Sequence, residues 1–175
     1  MILDFLMQFT GTVAGGGDSP TTGTQTSANI LDLHMAGIPV LASGQGARDL
    51  GIGDRLNLVA WVTTTFTGGT SMQVNLQGAT DNGAGAPAAF STWWSSPVYA
   101  EATLVAGAKL YEMDFPRPPA GIAIPRFLQL QYVTVGVHGA GVIKSWVVID
   151  RSDQPYQGTS NVNYGGYPAG ITIAN

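Results

Sequence analysis

Glu112 and Asp114 are the acids whose spacing best fits catalysis. Two positions apart on a strand, they share one face about 7 Å apart, which suits the paired carboxylates of glycoside hydrolysis. The same alternation places Tyr111, Met113 and Phe115 on the opposite face. The acids therefore read as the wet side of an amphipathic strand. His34 and His138 are the only histidines, and neither sits in a ligand motif. No serine occupies a Gly-x-Ser-x-Gly elbow, and there is no cysteine to act as nucleophile, thiolate ligand or disulfide partner. Asp81-Asn82-Gly83 begins like a calcium loop but lacks the later acidic ligands, so it reads as a tight turn, and the same holds for Asp150 and Asp153. Gly51-Ile52-Gly53 lacks the third glycine and following helix of a dinucleotide fingerprint. The expectation is a protein that is not an enzyme and carries no cofactor or metal.

What remains is recognition. Trp93 and Trp94 offer aromatic faces of the kind that stack on sugars, which makes a carbohydrate-binding β-sandwich module the alternative reading. Strand neighbours point to opposite faces, so at most one of the two is expected to be exposed.

The elements that must carry these residues are strands. Residues 55–65 and 70–79 alternate with a period of two, Leu56, Leu58, Ala60 and Val62 sharing one face and Met72, Val74 and Leu76 the inner face of the second. With Gly68-Gly69 between them they predict a hairpin. Residues 126–135 and 142–150 predict a second pair, joined around Gly136, His138, Gly139 and Gly141. Shorter strands are expected at 28–33, 93–99 and 110–115, and Arg117-Pro118-Pro119-Ala120-Gly121 cannot continue a ladder. The predicted fold is all-β: a jelly-roll-like two-sheet sandwich of about eight strands over residues 28–150, with extended N- and C-terminal arms.

Residues 1–27 are the first arm. Gly11 to Ser27 reads as a flexible linker, preceded by an apolar run in which Ile2, Leu3, Phe5, Leu6 and Phe9 are expected to dock on the chain's own sheet or on a neighbouring subunit. That run lacks a basic leader and a cleavage pattern and is too short to span a bilayer, so neither export nor a membrane partner is expected. Residues 151–175 mix glycine with Tyr156, Tyr164 and Tyr167 and read as a binding arm.

A length of 175 residues fits one such domain. Only 10% of residues are charged, well below the usual quarter, so the surface must be largely neutral and weakly self-repelling, as in assemblies. A net charge of −4, with no basic residue before Arg48, argues against direct nucleic-acid binding.

Ala47-Arg48-Asp49-Leu50-Gly51-Ile52-Gly53 ahead of the Leu56–Val62 strand, Ala102-Thr103-Leu104-Val105-Ala106-Gly107, and Arg126-Phe127-Leu128-Gln129-Leu130-Gln131-Tyr132 resemble, in order and spacing, the capsid cement proteins of tailed bacteriophages of the Bordetella-phage type. The resemblance covers residues 28–150. It implies a jelly roll that forms a dimer or trimer on the outer surface of an HK97-like shell and bridges neighbouring copies of the major capsid protein.

Overall fold

The computed structural model describes residues 7–33 and 56–148, residues 14 and 124 excepted. Seven antiparallel strands form one hydrogen-bonded sheet: β1 (Gly23–Thr26), β2 (Leu31–Asp32), β3 (Asn57–Ala79), β4 (Ser91–Ser95), β5 (Tyr99–Ala100), β6 (Lys109–Asp114) and β7 (Phe127–Val148). Among the described residues there is no α-helix. Glu101–Thr103 is a single 3-10 turn.

The strand periodicity is where the sequence places it, but the connectivity is not. β3 runs straight through Gly68-Gly69, and β7 through Gly136 to Gly141. Neither expected hairpin exists. The two long strands pair with each other from Asn57↔Val148 to Ala79↔Phe127, with four register shifts between Val62 and Ser71. Glycine supplies the positive φ that a two-residue turn needs, and a bulge needs the same conformation. Here Gly68 (φ 86°) and Gly136 (φ 81°) serve bulges. Val62 faces Ile143 and Met72 faces Thr134, so ten steps along β3 match nine along β7. The inward positions of β7 consequently change from odd (Ile143, Val147) to even (Leu128, Leu130, Tyr132), while β3 stays even throughout.

A flat strand of 23 residues would extend roughly 75 Å. Instead, Leu58, Ala60 and Val62 from one half of β3 share a single buried cluster with Met72, Val74 and Leu76 from the other, so the β3–β7 ribbon folds back on itself at its bulged middle. Side chains cross between the layers. The Trp94 ring, opposite Leu76, meets the Tyr111 ring, opposite Ala60, edge-on at 5.1 Å. The Tyr99 hydroxyl, opposite Met72, donates to the Leu110 carbonyl at 2.5 Å. The expected two-layered all-β sandwich is thus built from one continuous folded sheet. A second buried cluster lies on the outer face of one layer, where Trp61 and Trp146 stack with ring centroids 4.8 Å apart between Val59 and Val148.

The segment expected to be a flexible linker is part of this body. Asp18 bridges Ile143 and β1 pairs with Thr134 to Gln131, while Phe9, just ahead of the segment, donates its N–H to the Ser145 carbonyl at 3.1 Å. Two of its glycines give close approach rather than freedom: a Cβ on Gly17 would run into Val142, and one on Gly11 into the backbone of Gly16.

Candidate interaction surface

The residues singled out for chemistry are dispersed. Glu112 forms an ion pair with Lys109 of its own strand, and Asp114 is exposed opposite Asn57. Behind them, Tyr111 is buried with its hydroxyl 3.2 Å from Ser145 Oγ, and burial pushes its phenol well above the ordinary range. Asp81 is a turn residue: Oδ1 accepts the N–H groups of Gly83 and Gly85 at 2.7 and 3.0 Å, and the carboxylate also meets Arg126. Arg126 grips Asp32 as well, Nε to Oδ1 at 2.8 Å and Nη2 to Oδ2 at 2.9 Å, tying β2 to β7. His138 is buried against the edge of Phe66. Among the described residues no three His, Cys, Asp or Glu side chains gather as a metal site would require. His34, Gly51, Gly53, Asp150 and Asp153 lie outside the described residues, as do Ile2, Leu3, Phe5, Leu6, Tyr156, Tyr164 and Tyr167.

Phe9 is fully buried in the chain's own core. Of the two docking sites expected for it, the structure gives the chain's own sheet, so Phe9 is not free for a partner.

Trp93 and Trp94 correct the expectation that neighbouring side chains must part. Leu76 faces Trp94 while Gln77 faces Thr92, leaving Trp93 as the extra residue of a β-bulge. A bulge turns two successive side chains toward one side. Both indoles are half-buried against the same core cluster, Trp93 lying on Gly78 where any Cβ would collide with it. The pair braces the chain's own core rather than offering a flat platform. Leu110 and Tyr111 use the same device: Ala60 faces Tyr111 while Trp61 faces Lys109, leaving Leu110 as the extra residue, and Leu110 and Tyr111 both enter the core.

The most distinctive surface lies at the fold of the ribbon. Four segments meet there: Ser71 sits between Ala100 and Val135, Gly23 faces Thr134, Phe66 N–H donates to Leu104 O at 2.9 Å, and His138 N–H donates to Thr21 O at 2.7 Å. Across residues 19–28, 63–75, 97–108 and 129–143 the only titratable acid or base apart from tyrosine is Glu101, together with the buried His138. Val98, Val105, Val135 and Val137 are 63, 46, 55 and 64% exposed, set among exposed Thr64, Thr65, Thr67 and Thr70. Beside them, buried and half-buried amides of β3 and β7 pair across the strands, Asn75 Nδ2 donating to Gln131 Oε1 at 3.1 Å and Gln129 Nε2 to Gln77 Oε1 at 2.8 Å. Covering such a surface removes valine methyl groups from water and strips hydration from almost no charge, which favours burial against a partner. The sequence carries this signal as stretches with almost no charge. That the stretches converge depends on the bulged middle of the ribbon.

The family model Bbp16 matches residues 19–147, well over half of the chain. The chain belongs to the Bbp16 family, consistent with a bacteriophage protein of the Bordetella-phage kind. No curated protein matches it.

Proposed function

We propose, taking membership of the Bbp16 family as the premise, that this protein is a structural component of the virion that decorates the outside of a phage capsid and stabilises it by bridging neighbouring major-capsid-protein subunits. It works as a homo-oligomer, dimer or trimer, without catalysis, cofactor, nucleic acid or membrane. The observation that carries this reading is the charge-poor, valine-bearing surface at the fold of the ribbon, set on a body stiffened by one continuous sheet. Many modest contacts of this kind act together once they are joined through a rigid body and its copies, because each bound contact raises the effective concentration of the next. The sugar-binding alternative loses its main support with Trp93 and Trp94 packed on the core.

The test uses capsids of the parent phage stripped of this protein. Added back, the wild type should co-sediment with the shells and raise the temperature at which they rupture, and Val137→Glu should bind at least tenfold more weakly. Absence of co-sedimentation at micromolar protein would overturn the reading.

A further inference from the structure

One carboxylate fastens the N-terminal segment to β7. Asp18 and Ile143 exchange both backbone hydrogen bonds at 2.9 Å. The Asp18 side chain then gathers three donors: Gly11 N–H on Oδ1 at 2.7 Å, and Ala28 N–H at 3.2 Å with the Tyr132 hydroxyl at 2.8 Å on Oδ2. A carboxylate has about four acceptor positions, so one is left over. In front of the group is an open pocket of about 390 Å³, whose walls include Thr12, Ser19, Pro20, Gln25 and Thr26, all uncharged.

Fastening alone explains the three donors. It does not explain a hollow kept open before a charge that has no ion-pair partner among the described residues, where every charge-assisted bond to Asp18 comes from a neutral group. Burial raises the carboxyl's pKa, more strongly than its hydrogen bonds lower it, so the anion is held at a cost that a cation in the pocket would offset. Guanidinium suits such a place better than ammonium, being planar, more weakly hydrated and able to donate to the carboxylate and to side-chain oxygens at once.

We infer that this pocket is a socket for one guanidinium side chain presented by a protein partner. β1 forms one wall, and its start at Gly23 and the preceding Thr21 lie at the fold of the ribbon, so a partner covering the exposed valines passes over the socket. Within an otherwise neutral interface, a single desolvated ion pair fixes register. The inference rests on the decoration reading only for the identity of that partner, the capsid shell.

The experiment titrates the full-length, ¹⁵N-labelled protein with ethylguanidinium chloride, with N-ethylurea as the neutral analogue and sodium chloride at matched ionic strength. Saturable shifts of the Gly11 and Ala28 amide signals are expected with ethylguanidinium alone, and their loss in Asp18→Asn. Because that variant also weakens the fastening, Thr12→Trp serves as a second, crowding the pocket while leaving the carboxylate and its donors in place, and it should abolish the shifts too. Equal shifts with ethylurea, shifts surviving in both variants, or none at roughly 100 mM probe would each overturn the socket. In the capsid assay both variants should bind shells at least tenfold more weakly than the wild type. If the wild type itself ignores shells while the amide shifts are present, the decoration reading fails and the socket stands.

Discussion

Asp18 and Asp81 are both aspartates held by backbone N–H groups, yet their environments push them in opposite directions. Burial dominates at Asp18 and raises its pKa, so the folded state binds that proton more tightly than the unfolded chain. Its stabilising contribution is fully present below the unfolded value near pH 3.8 and is lost as pH rises through the raised folded value. At Asp81 a desolvation cost is outweighed by the Gly83 and Gly85 N–H groups and by Arg126, so its pKa is lowered. That contribution is present above the unfolded value and is lost as pH falls through the folded one. The melting temperature of the wild type minus that of Asp18→Asn should therefore be largest in acid and shrink as pH rises above the unfolded value near 3.8. A difference that grows with pH would mean that the folded chain favours the anion. Nothing in the sequence marks Asp18, since it follows a run of glycines that reads as linker and its donors, Gly11, Ala28 and Tyr132, come from separate segments. Asp81, whose backbone partners are two and four residues away, was legible as a turn.

At the level of elements, the alternation of Leu58, Ala60, Val62 and of Met72, Val74, Leu76 identifies strand and inward face correctly. Local sequence leaves open whether Gly68-Gly69 reverses the chain or bulges it, because both demand the same backbone and the decision belongs to a partner about 70 residues away. The bulged middle makes a specific demand at Gly136. Its φ of 81° is strained for any other residue, and a Cβ there would sit 3.0 Å from the backbone nitrogen of Thr70 on the facing strand. Gly83 has a similar φ of 88° but nothing within 4 Å. Gly83→Ala should thus cost only the conformational strain, about 1 kcal/mol, whereas Gly136→Ala adds crowding against a backbone that cannot yield and should cost roughly 2–3 kcal/mol. Urea unfolding of the two variants measures the difference. Equal losses would show that the ribbon has slack at its fold.

For the whole molecule, charge is distributed unevenly. Among the described residues, Arg126, Asp32 and Asp81 are drawn into one ion-pair cluster away from the fold of the ribbon, and Lys109 and Glu112 into another on β6, while the surface carrying Val98, Val105, Val135 and Val137 holds only Glu101. Low charge content was legible from composition, and its concentration at one end follows from the folding-over of the ribbon. If this surface carries capsid binding, hydrophobic burial supplies most of the affinity and ionic screening touches at most the Asp18 pair. Raising salt from about 0.05 to 0.5 M should then weaken shell binding only a few-fold, where an interface of several ion pairs would lose orders of magnitude. Val135→Lys and Val137→Lys should each leave the unfolding free energy within about 0.5 kcal/mol of the wild type, since both side chains are more than half exposed, yet cut shell binding at least tenfold. Steep salt dependence, together with full binding by both lysine variants, would move the interface from this surface to the charged clusters on β6 and around Arg126.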